Sequence, residues 1–304
     1  MEKITQEVLN KMIKNHRHWL RQDCENWRSM RANFTGFDLK DVNFANANFE
    51  SADFSKANLK YANFENANLI GAVFTGADLT YVNFENAKLI NTNFIGANLS
   101  CANFTFANLT CASLIGADLS AANFTHANLA KAVFTGADLG GAEFTYANLE
   151  SVNFTRASLK YVEFKGANLA KSCLARADFD CTDLTKSFNI PFIPMACPEK
   201  GSFIGWKKAR GTESTFVIVE LLIPEDARRS SATGRKCRCD KARVLNIESL
   251  DGKNHYKTAV SSYNKKFVYE VGKEVTVPDF CKDRFRECAQ GIHFFINREE
   301  AMKY

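Results

Sequence analysis

From Phe34 to Leu184 every fifth residue is Phe or Leu, thirty-one consecutive positions of which 15 are Phe and 16 are Leu. Two residues before each stands Ala in 23 of the 31 cases, and otherwise Val, Thr, Ser or, once, Phe37. The residue between them is mostly Asn or Asp, so the unit reads A-(N/D)-(L/F)-x-x, as in Ala57-Asn58-Leu59 and Ala117-Asp118-Leu119. No helix or strand has a five-residue side-chain period. A chain that turns a corner every five residues does, with one large and one small side chain inside each segment. Proline fits nowhere in such a repeat, and all five prolines (191, 194, 198, 224 and 278) fall after residue 190.

Sorting the large residues by position modulo twenty separates them into four columns. The first runs Phe34, Phe54, Phe74, Phe94, Leu114, Phe134, Phe154, Leu174, and the third, from Phe44 to Leu184, is Phe in seven of eight places. The second is Leu from Leu39 to Leu159 and ends at Phe179; the fourth starts at Phe49 and is Leu from Leu69 to Leu169. Two Phe faces therefore oppose each other and two Leu faces fill the remaining sides, as layers of a solenoid core should. The unit and its unbroken register resemble the pentapeptide-repeat family over about 155 residues. That resemblance implies a right-handed four-sided β-helix with one pentapeptide per face and four per coil. About 7.75 coils at ~4.8 Å each make a rod about 37 Å long. Asn43, Asn63, Asn83, Asn103 and Asn123 form one ladder whose amides can bond from coil to coil. Gly36, Gly76, Gly96, Gly116 and Gly136 share a first-face corner, where a positive φ is expected.

An open solenoid exposes edges that would template aggregation, so both ends need covers. Residues 1–32 form the first. Val8, Leu9, Met12, Ile13, His16, Trp19, Leu20, Trp27 and Met30 lie near helical spacing, and His16 and His18 are expected to make polar contacts within this cap. The β-helix spans 33–187. Residues 188–200, with three prolines, read as a linker. Residues 201–304 read as a mainly β (α+β) domain with strands at Phe216–Ile223, Ala242–Leu250, Phe267–Val277 and Gly291–Ile296, and a last helix from Asn297. The segments GSFIGWKK, LLIPEDARRSSATGRKCRCDKARVL, FVYEVG and GIHFFINREEA resemble an uncharacterised domain that follows pentapeptide repeats in bacterial and bacteriophage proteins. NHRHWL resembles the leader of the same group. The match implies an architecture and a phage or bacterial setting, and no activity.

The net charge of +5 hides an acidic middle between two basic ends. Residues 1–32 carry 7 basic and 4 acidic side chains, residues 33–187 carry 11 and 15, and residues 188–304 carry 21 and 15. Neither sign dictates a partner. No apolar run approaches the ~18 residues of a membrane span, the first residues lack the apolar core of a signal peptide, and ten cysteines without a secretory signal read as reduced thiols in a cytoplasm. The segment from Pro224 to Arg243 reads as a basic surface loop in which Arg235, Lys236 and Arg238 are the candidate anion contacts. It lacks the spacing of a P-loop. Cys237 and Cys239, with Cys281, Cys288 and His293 downstream, could assemble zinc, but no C-x-x-C supports it and ordinary thiols are the expectation. His293 alternates with apolar residues in a strand and reads as a core or interface histidine, the weaker alternative being catalysis with a neighbouring thiol. No paired-carboxylate motif, dinucleotide fingerprint or nucleophile elbow occurs. The expectation is no enzyme, no cofactor and no metal.

Function is sought instead on the surface of the solenoid. The residue before each second-face centre gives Asp38, Asn58, Asp78, Asn98, Asp118, Asp138, Ser158 and Asp178, a stripe of five carboxylates. Some pentapeptide-repeat proteins use such stripes to mimic DNA against topoisomerases, so the resemblance admits that role for Asp78, Asp118 and Asp138. Tyr61, Tyr81 and Tyr161 lie on the adjoining corner, and Phe106 and Tyr146 on the third face. Exposed aromatics suit a protein-binding surface. The leading expectation is a non-enzymatic binding scaffold with a protein partner or self-association, in one form a phage-encoded inhibitor of a bacterial defence or DNA-handling system. Nucleic acid on the solenoid and membrane contact are not expected. The alternatives are DNA mimicry and a nucleotide-binding or enzymatic C-terminal domain.

Overall fold

Each coil of the repeat takes twenty residues. Among the described residues, parallel bridges join the residue before a centre to its counterpart one coil on, as in Asn43↔Asn63, Asp118↔Asp138 and Asn148↔Asn168. A computed structural model describes the chain apart from residues 1, 180, 181, 183, 185, 192–196, 199, 212–214, 232–235, 265 and 282–289. The chain divides into two compact units, Met1–Phe192 and Ile193–Tyr304.

One pentapeptide shows why the repeat has its composition. The N–H of Asn63 donates to Val42 O (3.0 Å), that of Phe64 to Asn83 O (2.7 Å), and that of Asn66 to Glu85 O (2.9 Å), so three donors are met by neighbouring coils. The N–H of Ala67 donates back to Phe64 O (3.0 Å) and closes the corner. The fifth donor, the N–H of Glu65, has no carbonyl in reach and is met by Asn63 Oδ1 at 3.0 Å. Buried or half-buried backbone donors must all find acceptors, and here a side-chain oxygen two residues back supplies the last one. Asn and Asp recur at that position for this reason. The amide ladder forms across Asn63, Asn83 and Asn103: Asn83 Nδ2 donates to Asn63 Oδ1 (3.1 Å) and Asn103 Nδ2 to Asn83 Oδ1 (3.0 Å).

The glycine expectation is too narrow. A left-handed backbone recurs at the second residue after the centres on every face, from Asp41 (φ 61°) to Arg176 (φ 59°), and is shared by Lys, Arg, Asn, Tyr, Phe and Ala. Gly76 (φ 63°) is one solution among many. The coil-to-coil bond from each corner N–H holds the conformation where the side chain disfavours it.

Inside, the Phe columns stack along the axis, with Phe54 and Phe74 at 4.9 Å and 5° and Phe104 and Phe124 at 4.8 Å and 1°. Opposed columns meet edge to face, as Phe54 does Phe64 at 5.6 Å and 87°. Both geometries are favourable for rings. Thr92 stands at a small-residue position and stays satisfied by donating to Leu69 O (2.9 Å).

The first coil is covered as the sequence requires. Helix α1 (Gln6–Arg21) starts at the N-cap Thr5, whose side chain accepts from Val8 N, and ends at Gln22 in the left-handed conformation. Strand β1 (Glu2–Lys3) pairs in parallel with β2 (Phe37–Asp38). A short 3-10 turn, Trp27–Ser29, leads into the repeat. His16 is buried, accepts from Ala32 N through Nδ1 (3.1 Å), and stacks on Trp19 and on Phe49. Phe49 is the one aromatic that opens the otherwise Leu-rich fourth column. Its contacts with His16 and with Phe34, Phe44 and Phe54 account for that exception.

The second unit is an antiparallel sheet of nine strands: β3 (Phe203–Arg210), β4 (Phe216–Ile223), β5 (Arg229–Ser231), β6 (Lys236–Cys239), β7 (Lys241–Ser249), β8 (Thr258–Val260), β9 (Val268–Glu270), β10 (Glu274–Thr276) and β11 (Ile292–Phe295). The order is β10-β7-β4-β3-β11-β6-β5, with β8 pairing β3 and β9. Val217, Val219, Leu221 and Ile223 of β4 belong to its apolar core, with Cys237 and Cys239 of β6 and Phe294 of β11. Helix α2 (Arg298–Lys303) begins at Asn297, whose side chain accepts from Glu299 N. Two expectations need correcting. Phe267–Val277 is two strands rather than one, because Gly272 (φ 82°) turns the chain between β9 and β10. Half of Pro224–Arg243 is sheet rather than loop, since it contains β5, β6 and the start of β7.

Candidate functional site

The third-face corner carries the most unusual surface. Phe106, His126 and Tyr146 occupy equivalent positions in three successive coils, and their rings stack at 4.9 Å and 4° and then at 5.2 Å and 13°. Phe106 and Tyr146 keep 54% and 52% of their surface exposed. The stack ends on Gly166, where an added Cβ would lie 2.4 Å from the Tyr146 ring. Phe106 and Tyr146 were legible as exposed aromatics. His126, which joins them, was not singled out, although the same modulo-twenty sorting places it between them.

All three residues hold left-handed backbones (φ 58°, 59° and 57°). Bulky side chains disfavour that conformation by roughly 1–2 kcal/mol, and Asn66 on the same corner, like Ala121 and Arg156 on other corners, serves equally well. Neither backbone geometry nor core packing explains three consecutive rings. Tyr61 and Tyr81 make a shorter stack on the second-face corner, at 5.2 Å and 2°, with the Lys40 ammonium 5.7 Å from the Tyr61 ring. Tyr161 lies on the same corner four coils beyond Tyr81, with Cys101, Ala121 and Gly141 between them, and does not join that stack.

The acidic stripe is in line but is largely committed to the fold. Asp78 accepts from Thr80 N (3.3 Å) and Thr80 Oγ1 (2.6 Å) and pairs with Lys60 (3.1 Å). Burial alone would raise its carboxyl; the Thr80 and Lys60 bonds outweigh that and hold it below its ordinary value. Asp118 accepts from Ser120 N (3.0 Å) and Oγ (2.7 Å), and Asp138 from Gly140 N (3.0 Å). Asp178 pairs with Lys160 at 3.2 Å. Asp78, Asp118 and Asp138 each accept from the N–H two residues on, as Asn does elsewhere in the repeat. Asp118 and Asp138 are the adjacent exposed pair.

Among the described residues of the basic segment, several cations are bonded within the protein. Arg229 donates to the carbonyls of Gly201 (2.9 Å), Pro224 (2.8 Å) and Glu225 (2.8 Å) and stacks on Phe203. Arg228 pairs with Asp240 at 2.6 Å, and Lys241 with Asp226. Lys236 donates to the Tyr304 hydroxyl (2.7 Å). Arg238 is buried in β6, cross-strand from Ser230 and from His293. The candidate contact Arg238 is thus inside the sheet layer rather than on a loop, and Arg235 lies outside the described residues. His293 is half-buried, and its neighbours Ile292 and Phe294 are the core residues of the strand. Cys237 and Cys239 are fully buried in that core, and burial pushes the Cys239 thiol far up, as for a packed thiol. Cys288 lies outside the described residues. Lys207 of β3 went unnoticed in the sequence; burial, and then the charge of Lys236, lowers its amine to about 8.

No described helix is long and apolar enough to cross a membrane. Family models for pentapeptide repeats match residues 30–62, 57–94 and 87–125, and one for a pentapeptide repeat region matches 107–184. Residues 193–301 match a family of unknown function, DUF5758. No curated protein matches the chain. Among solved structures, HetL, a pentapeptide repeat protein involved in heterocyst differentiation regulation from the cyanobacterium Nostoc sp. strain PCC 7120, is 28% identical, with 52% of this chain and 76% of HetL covered and a TM-score of 0.31. Full-length QnrB1, a plasmid-mediated fluoroquinolone resistance protein, is 18% identical, with 53% and 88% covered and a TM-score of 0.39. A pentapeptide repeat protein of the Arabidopsis thaliana thylakoid lumen is 26% identical, with 37% and 68% covered and a TM-score of 0.21.

Proposed function

The chain belongs to the pentapeptide-repeat family, and from that premise we propose that it is a non-enzymatic binding protein whose solenoid holds a protein partner on the Phe106–His126–Tyr146 stack. The observation that carries this reading is the stack itself: three exposed rings in consecutive coils that the fold does not need. Rings already aligned by their neighbours lose little freedom on binding and offer large contact area, the property of residues that dominate interface energetics. The finer form of the proposal is a phage-encoded inhibitor of a bacterial defence or DNA-handling system, acting in the cytoplasm. It rests on the bacterial and phage setting of proteins with this domain order.

The acidic stripe supports a second reading, DNA mimicry, through the exposed pair Asp118 and Asp138. Lys60 and Lys160 weaken it by neutralising Asp78 and Asp178. Affinity capture from bacterial lysate separates the two. A Phe106→Ala, His126→Ala, Tyr146→Ala variant should lose the protein captured by the natural chain, while an Asp78→Asn, Asp118→Asn, Asp138→Asn variant keeps it with little change in salt dependence. The opposite pattern would favour mimicry.

A further inference from the structure

We propose that the N-terminal cap holds a zinc ion through His18, Asp23 and Cys24. The ligand atoms of these three side chains all lie within 4.8 Å of one another. The backbone brings them there. His18 stands in the last turn of α1; Gln22, left-handed at φ 55°, returns its N–H to His18 O (2.8 Å) and reverses the chain, so Asp23 and Cys24 fold back against that turn. A second left-handed residue, Asn26 (φ 64°), then redirects the chain into the Trp27–Ser29 turn, and Met30 returns its thioether to within 3.6 Å of the Cys24 sulfur.

The donor set is one nitrogen, one carboxylate oxygen and one thiolate, which are the three ligand types zinc takes from proteins, with a fourth position open to water. Tetrahedral zinc needs donors roughly 3.3–3.7 Å apart, given bonds of about 2.0–2.3 Å, so closure on the ion requires shifts of about 1 Å. His18 Nδ1 is now 2.8 Å from Asp23 Oδ1, a proton-bridged pair, and the Cys24 thiol donates to Met30. One divalent ion would take the place of both protons: the thiol gives up its proton to solvent on binding, and the imidazole binds through Nδ1 as the neutral tautomer that carries its proton on Nε2. His18 and Asp23 are about one-third exposed at their side chains, so the ion can enter from solvent. The thiols of Cys237 and Cys239 are buried and do not compete. Bound there, zinc would tie the last turn of α1 to the segment that reverses the chain after it.

Cobalt(II) titration of the reduced, chelator-treated full chain tests this. The proposal expects one equivalent bound with a thiolate-to-cobalt charge-transfer absorption that zinc abolishes by displacement. Cys24→Ser should eliminate the absorption, and His18→Gln, which leaves the thiol in place, should weaken binding by more than the ~10–100-fold cost of losing an outer-shell partner. Circular dichroism checks that both variants keep their fold. Absence of the charge-transfer absorption in the natural chain, or its persistence in Cys24→Ser, would overturn the assignment.

Discussion

At the scale of single residues the repeat is a set of five donors and their acceptors, with one large and one small side chain turned inward. Phe84 is fully buried between Phe64 and Phe104. Phe84→Ala should therefore destabilise the protein by about 3–5 kcal/mol, while exposed Lys131→Ala should change stability by less than about 0.5 kcal/mol; chemical denaturation measures both. Comparable small losses would contradict the register. The corner makes a less ordinary forecast. Ala121 sits at φ 57°, so Ala121→Gly should leave stability unchanged or raise it by up to about 1 kcal/mol, whereas the same exchange in a regular element costs roughly 0.5–1 kcal/mol. A loss of that size would show that the corners are not left-handed. The large and small inward positions were legible because a period of five admits few explanations. The fifth donor's need for a side-chain acceptor was not, because Asn and Asp are also ordinary ladder and turn residues, and only the bond from Glu65 N to Asn63 Oδ1 reveals the reason.

At the scale of elements the cap depends on one buried histidine. His16 is held down to about 4 from 6.5, chiefly by burial and then by the Arg31 charge, with a Glu50 backbone hydrogen bond pulling the other way. The unfolded chain therefore takes up the proton first as pH falls. The cap's contribution is fully present above 6.5 and is lost as pH drops toward 4. With chelator present, unfolding followed by tryptophan fluorescence should show stability falling over that window in the natural chain, with a smaller slope in His16→Gln; equal slopes would refute the role given to His16. The helix was legible from its apolar spacing, β4 from its apolar run, β7 from its alternation and β11 as a short strand. Strands β5 and β6 were hidden because Arg and Lys suggest a solvated loop. Arg229 shows why that inference failed: its guanidinium serves the carbonyls of Gly201, Pro224 and Glu225, so charge there stitches backbone together. Gly205 marks another hidden strand, since a Cβ there would meet the Phe294 ring at 2.5 Å.

At the scale of the whole molecule, two units of different construction share one chain, and the repeat unit presents side chains in columns whose spacing its backbone sets. Under the proposed function such a surface would bind by the side chains along a corner, and the most distinctive run is Phe106, His126 and Tyr146. The sequence exposed the two outer rings but not the stack, because stacking depends on His126, a residue that reads as an ordinary polar corner until the coils are aligned. Photo-crosslinking tests the resulting claim most directly. A benzoylphenylalanine placed at His126 keeps an aromatic ring in the stack, and one placed at Asp118 samples the acidic stripe. On irradiation with the captured partner, position 126 should give a covalent adduct and position 118 none. An adduct from 118 alone would contradict it.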